Sequence, residues 1–168
     1  YKETFGVGNL ASADRKKIGD YTDYDVAAPV VYSDPTGRAD IRTTAGTGAD
    51  NRHVWLPAST ATNPESSLVI SGINTQGKSG LVLSFDLCAN LYAATDEIDL
   101  NVVKVTVNGT SRTLPSTVVS NANGDNNKFY TFTLDNIPAA SDLTIEFKTD
   151  TENTKGLRLD NVEITAAS

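Results

Sequence analysis

The run Leu81-Val82-Leu83-Ser84-Phe85-Asp86-Leu87-Cys88 decides the fold. Leu81, Leu83, Phe85 and Leu87 alternate with Val82, Ser84, Asp86 and Cys88. Successive side chains of a strand point to opposite faces, so a period of two marks a strand with one buried face. The rhythm recurs on either side. Val103, Val105 and Val107 alternate with Lys104 and Thr106; Tyr130, Phe132 and Leu134 with Thr131 and Thr133; Leu143, Ile145 and Phe147 with Thr144, Glu146 and Lys148. Segments Lys2–Phe5, Arg38–Thr43, His53–Leu56, Leu68–Ile73, Ser111–Val119 and Gly156–Ile164 read as further strands. No segment of helical length carries a 3.6-residue period, and only Ala11–Ile18 is expected to form a short helical turn.

About ten short strands separated by Gly, Asn, Asp, Ser and Pro clusters predict an all-β sandwich or barrel. Asn108-Gly109 between Val102–Val107 and Thr110–Leu114 is the clearest hairpin, since Asn-Gly suits a two-residue turn with positive φ. Asn108-Gly109-Thr110 also matches an N-glycosylation acceptor, but the turn accounts for it. No repeat or linker divides residues 1–168, which read as one sandwich domain. The long polar loops are Gly6–Tyr32, Ala45–Asn51, Pro57–Ser67 and Asn121–Asn127. Loops of that length on a compact domain often carry function.

One strand breaks its own rhythm. Leu157 and Leu159 set one phase, Val162 and Ile164 the other, and the shift falls at Asp160-Asn161. An inserted residue predicts a β-bulge, which either re-aims a side chain at a site or lets the strand change sheets.

Composition excludes more than it assigns. The net charge of −7 argues against nucleic-acid binding, which depends on Lys and Arg neutralising phosphates. A single cysteine excludes an internal disulfide and a Cys-rich zinc site; a single histidine argues against His-based metal catalysis or a His-activated nucleophile. No apolar run approaches the roughly 18 residues of a membrane helix. The start at Tyr1 and the absence of methionine read as a mature or trimmed segment of a longer product.

Two segments carry a resemblance. Lys2-Glu3-Thr4-Phe5-Gly6 and Gly156-Leu157-Arg158-Leu159-Asp160-Asn161-Val162-Glu163-Ile164 are similar to the first and last strands of galactose-binding-like jelly rolls. Arg52-His53-Val54-Trp55-Leu56-Pro57 and Leu83-Ser84-Phe85-Asp86-Leu87 resemble inner strands of that fold. It includes many carbohydrate-binding modules of secreted and surface proteins of gut-type Gram-negative bacteria. The resemblance implies a jelly-roll β-sandwich with little or no helix. It further implies an extracellular or cell-surface location in a secreted or lipid-anchored parent, and a glycan or surface-protein partner. It also implies a structural calcium held by an acidic residue near the first strand and by the Asp of the last: Glu3 and Asp160, with Asp40 a third candidate. The competing reading pairs Glu3 or Asp160 with Arg42 or Arg158. Asn121–Asn127 has one carboxylate and no closing Glu, so it reads as a turn, not a calcium loop.

Sugar recognition needs an aromatic face bordered by polar groups. If Val54 and Leu56 face the core, Trp55 points outward. Tyr21 and Tyr24, with Arg52 beside them, complete the candidate ligand-binding set. The alternatives are that Trp55 is a core residue, as tryptophan is on average well buried, and that Tyr21 and Tyr24 pin their loop. Catalysis has little support: Asp96-Glu97-Ile98-Asp99 reads as a polar turn, no Gly-x-Ser-x-Gly elbow occurs, and Cys88 reads as a small buried hydrophobe. The expected function is a non-catalytic extracellular accessory domain that binds carbohydrate. The rival is a structural or protein-interaction module without a sugar site.

Overall fold

The computed structural model describes residues 1–44 and 51–167. All of the expected loop Ala45–Asn51 except Asn51 lies outside the described residues. In chain order the strands are β1 (Lys2–Glu3), β2 (Lys16–Lys17), β3 (Val31–Ser33), β4 (Asp40–Arg42), β5 (His53–Leu56), β6 (Ser66–Ile73) and β7 (Leu81–Ala89). They continue as β8 (Glu97–Asp99), β9 (Lys104–Val107), β10 (Thr110–Arg112), β11 (Val118–Ser120), β12 (Tyr130–Ile137), β13 (Leu143–Thr149) and β14 (Leu157–Thr165). A seven-stranded sheet runs β12-β7-β14-β5-β4-β2, with β1 joined to β14; a five-stranded sheet runs β10-β9-β13-β6-β3. A small β11-β8 pair completes this all-β jelly-roll sandwich.

The period-two runs build the core between the sheets. Leu81, Leu83, Phe85 and Leu87 of β7 face inward with Leu157, Leu159, Val162 and Ile164 of β14. Leu143, Ile145 and Phe147 of β13 meet them from the other sheet. The rings of Phe85 and Phe147 join the layers edge to face at 4.9 Å. Burying a side chain of this size stabilises by about 1.5–3 kcal/mol relative to leaving it exposed.

Local chemistry sets the details. Asn108 and Gly109 both take positive φ, and Thr110 pairs with Val107, so the predicted hairpin turn forms. The bulge in β14 falls where the phase breaks: Asp160 opposes Asp86, the next recorded pair is Glu163 with Ser84, and Asn161 has φ of 52°. Asp160 keeps the outward phase of Arg158, not a core position, yet is 4% exposed.

One expectation is corrected, one is narrowed and two short strands are added. Ser111–Val119 is not one strand: Thr110–Arg112 and Val118–Ser120 belong to different sheets, parted by a stretch containing Pro115, which cannot donate to a ladder. Ala11–Ile18 contains a single 3₁₀ turn at Ser12–Asp14 followed by strand β2. The short strands β3 and β8 were not foreseen, because three residues are too few to show a period.

Candidate functional site

Register places Trp55. On β5 its backbone opposes Arg158 of β14 and Asp40 of β4, while Val54 and Leu56 are fully buried in the core. Trp55 therefore stands half-buried on the outer face of the seven-stranded sheet. Guanidinium groups from the strands on either side lie over its ring, Arg42 Cζ at 5.0 Å and Arg158 Cζ at 5.1 Å from the centroid. Each such contact contributes about 0.5–1 kcal/mol, more where water is excluded. Asp40 accepts from Arg42 Nε at 2.7 Å and Nη2 at 2.5 Å, and so fixes that guanidinium. The indole also lies over Gly156, where a Cβ would fall 2.4 Å from Trp55 Cη2; only glycine permits that approach.

A buried polar layer lies around Trp55. Arg158 is 2% exposed; its Nη1 is 3.8 Å from Cys88 Sγ, and its Nε has no hydrogen-bond partner. Burial pushes the Cys88 thiol up to about 11, so it stays protonated and inert. His53 is fully buried, edge-on to Phe129 at 6.2 Å. The Asn51 carbonyl takes the proton of Nδ1 at 3.0 Å, and the Thr44 hydroxyl donates to Nε2 at 3.2 Å. Burial, with Arg158 and Arg42 nearby, lowers His53 to about 4, so it is neutral at pH 7. Beyond the end of β7, the Asn90 N–H donates to the Gly156 carbonyl at 3.2 Å, while Asn90 Oδ1 accepts no hydrogen bond.

Tyr21 and Tyr24 belong to a different part of the molecule. Tyr21 is buried, its hydroxyl donating to the Phe5 carbonyl and accepting from Arg52 Nη1 at 2.7 Å. Tyr24 stacks on Tyr32 with centroids 3.8 Å apart and donates to the Ile18 carbonyl. Arg52 is committed to the Gly8 carbonyl, Tyr21 and Asp23. The pair is thus no exposed platform: it pins the long N-terminal loop to the sandwich, with Arg52 as the clamp.

Glu3, Asp40 and Asp160 do not form one site. Glu3 is fully buried and accepts four hydrogen bonds: from the N–H groups of Phe5, Asp25 and Val26, and from the Tyr32 hydroxyl at 2.6 Å. Burial raises its pKa; the Tyr32 and backbone hydrogen bonds oppose that. Its oxygens face donors, which suits an N-terminal staple and not a cation. Asp40 is held by Arg42 on the far side of β5 from β14. Asp160 accepts one hydrogen bond, from the Asn161 N–H at 2.8 Å. Burial, then the like charges of Asp86, Asp25 and Glu3, push it up to about 8. Among the described residues no three His, Cys, Asp or Glu side chains are placed to hold a metal ion.

Alternation sets Trp55 on the outer face, but the sequence offers Arg42 and Arg158 only as partners for Glu3 or Asp160; the structure pairs Arg42 with Asp40 and lays both guanidinium groups over the indole. The phase of Leu157-Arg158-Leu159 was a usable signal, since it sets Arg158 on the same face as Trp55.

No protein-family model matches the chain, and no curated protein matches it. Solved structures do. The CBM22-1 xylan-binding domain from Paenibacillus barcinonensis shares 15% identity, with a TM-score of 0.52 over 100% of this chain and 95% of that one. The cleaved adhesin domain of Lys-gingipain from Porphyromonas gingivalis shares 14%, with a TM-score of 0.53 over 92% and 98%. A CBM61 domain in complex with β-1,4-galactotriose shares 11%, with a TM-score of 0.50 over 83% and 90%. At these identities the likeness is one of fold: the chain shares the β-sandwich of these domains.

Proposed function

We propose that this chain is a non-catalytic carbohydrate-binding domain of an extracellular protein, and that it takes glycan on the outer face of the seven-stranded sheet around Trp55. The observation that carries the reading is the outward, half-buried setting of Trp55 between Arg42 and Arg158. Support comes from neighbours of the same fold that bind xylan or hold galactotriose. The indole supplies an apolar surface, and the guanidinium groups and Asp40 around it supply donors and acceptors. One stacked sugar contributes only a kcal/mol or two at about 25 cal/mol per Å². Binding of about 0.1–1 mM follows, useful through avidity from neighbouring modules. A glycan array on the domain tests the reading; an array without a hit removes it.

A second reading has its own observation. Two guanidinium groups over one indole already occupy much of that ring, as in a structural cluster. A structural or adhesive module without a sugar site fits this, and one neighbour is an adhesin domain. Arrays of surface proteins would then give the hits.

We also propose a structural calcium at Asp160. Its support is the carboxylate's single hydrogen bond and the negative charge around it. Calcium takes carbonyl and water oxygens beside carboxylates. Asp160 would hold the ion, with Asp25 and Asp86 adding charge nearby; Glu3 and Asp40 are committed elsewhere.

A further inference from the structure

Two edge strands break their pattern at one place. β10 is an outer strand of the five-stranded sheet and β12 an outer strand of the seven-stranded sheet. Thr110 and Arg112 of β10 lie opposite Val107 and Val105, whose side chains are buried in the core. Directly opposed residues share a face, so Thr110 and Arg112 stand in the inward phase, where alternation calls for apolar residues. In β12 the register shifts between Leu134 and Ile137, and Asn136 takes a φ of 55°. A bulge of this kind re-aims a side chain. The two edges meet, for Arg112 Nη2 donates to the Asp135 carbonyl at 2.8 Å. Beside that contact opens a cleft of about 410 Å³ lined by Val107, Asn108, Thr110, Arg112, Asn136 and Pro138. Asn108, Thr110, Asn136 and Pro138 are exposed and Arg112 is half-buried, so a dissolved ligand reaches them. Strands β7 and β14 separate β12 from β5, which sets this cleft apart from Trp55.

We propose that the edge cleft is a second glycan subsite, which takes one uncharged sugar residue. Its volume lies near the lower end of the roughly 300–1,000 Å³ of small-ligand sites. Its polar groups both donate and accept. Arg112 commits Nη2 to Asp135 and keeps Nε and Nη1 for a ligand. Asn108 Oδ1 accepts from the Thr144 N–H at 2.8 Å, which leaves its NH₂ group as a donor. The exposed Asp135 carboxylate lies 3.8 Å from Arg112 Nη2 and accepts from Asn136 Nδ2 at 3.4 Å. Each sugar hydroxyl donates and accepts, so two neighbouring hydroxyls bridge Arg112 and Asp135. Val107 and Pro138 offer apolar surface to the C–H face of the ring. Asp135 already balances the Arg112 charge, and the net charge of −7 opposes an anion, so the cleft favours a neutral sugar. The subsite goes beyond the reading above and does not depend on Trp55. Two sites on one domain add avidity for a polysaccharide that presents many copies of the same sugar.

The test is a titration of the isotope-labelled domain with xylotriose and with β-1,4-galactotriose. Backbone N–H signals of Thr110, Arg112 and Asn136 are read beside the indole N–H of Trp55, the sole tryptophan. With at least one of the sugars the three backbone signals are expected to shift, with a Kd on the order of millimolar for so small a subsite. They should shift equally in Trp55→Ala. Arg112→Gln and Asn136→Gly should each weaken this response about tenfold and leave that of the Trp55 indole unchanged. Glycine accepts a positive φ, so Asn136→Gly removes the amide without straining the bulge and decides the matter if Arg112→Gln fails to fold. Silence of the three signals with both sugars overturns the subsite and leaves Arg112 as a guard against edge-to-edge strand pairing. A response that survives both variants overturns it too, and tighter binding of galacturonate than of galactose overturns the uncharged class. Shifts in the cleft with a silent indole would uphold this subsite and count against the Trp55 site alone.

Discussion

The Trp55 indole rests on the backbone of Gly156, closer than any side chain at that position would allow: an added Cβ would sit 2.4 Å from Cη2 and 2.7 Å from Cζ2. Gly156 also has φ of 74°, a left-handed conformation that costs other residues energy. The carbonyl of Gly156 binds the Asn90 N–H, so this glycine joins the last strand, the end of β7 and the tryptophan. Gly156→Ala should therefore lower stability by about 1–3 kcal/mol, the usual cost of overpacking. It should also red-shift Trp55 emission as the ring is lifted toward water. Denaturant melts and emission spectra of the two proteins check both.

Glu3 fastens the N-terminal loop through four hydrogen bonds. Glu3→Gln replaces one acceptor oxygen with an NH₂ group that faces N–H donors. Hydrogen bonds to a charged acceptor are each worth about 1.5–3 kcal/mol, so a loss of at least that size is expected. The loss should be the same in calcium and in EDTA, because Glu3 acts without an ion. Thermal melts under both conditions measure it.

His53 makes the fold sensitive to acid. Its pKa is lowered from 6.5 to about 4 by burial, with Arg158 and Arg42 adding to the fall and the Asn51 carbonyl and Asp40 opposing it. The unfolded chain takes up a proton below pH 6.5 that the folded chain refuses until about pH 4. The stability this group contributes is complete above pH 6.5 and is lost as the pH falls toward 4. Each pH unit in that window removes at most about 1.4 kcal/mol. His53→Gln should flatten the profile there relative to wild type; parallel profiles would show that another group governs the acid limb.

Much of the architecture was legible in the sequence, because a half-buried strand writes its period into its residues. The runs in β7, β12, β13 and β14 are long enough to show it, and the Asp160-Asn161 phase break located the bulge. Strands β2, β3 and β8 are too short for any period and are fixed by their partners. The site was less legible. Alternation placed Trp55 outward, but what lies beside it depends on cross-strand register. Arg158, Asp40 and Trp55 are far apart in the chain and meet only because β14, β5 and β4 are adjacent. The tyrosines misled as a platform because composition cannot distinguish a ring that stacks on sugar from one that stacks on Tyr32.

Calcium at Asp160 is tested by its linkage to folding. An ion bound only by the native state stabilises it by mass action. EDTA should lower the melting temperature and excess calcium restore it, and Asp160→Ala should remove the response. A wild-type curve unchanged by either reagent would remove calcium from the account.

The most direct test of the central claim is the binding of glycan to wild type and to Trp55→Ala, measured by calorimetry with the best ligand from an array and accompanied by thermal melts. Trp55 lies on the outer face and not between the sheets, so its removal should spare the core and avoid the roughly 3–5 kcal/mol loss of a buried tryptophan. The account predicts a wild-type Kd of about 0.1–1 mM and at least a tenfold loss in Trp55→Ala, with the fold intact. Binding that is unchanged in Trp55→Ala, or a wild-type domain that binds no glycan, would contradict it.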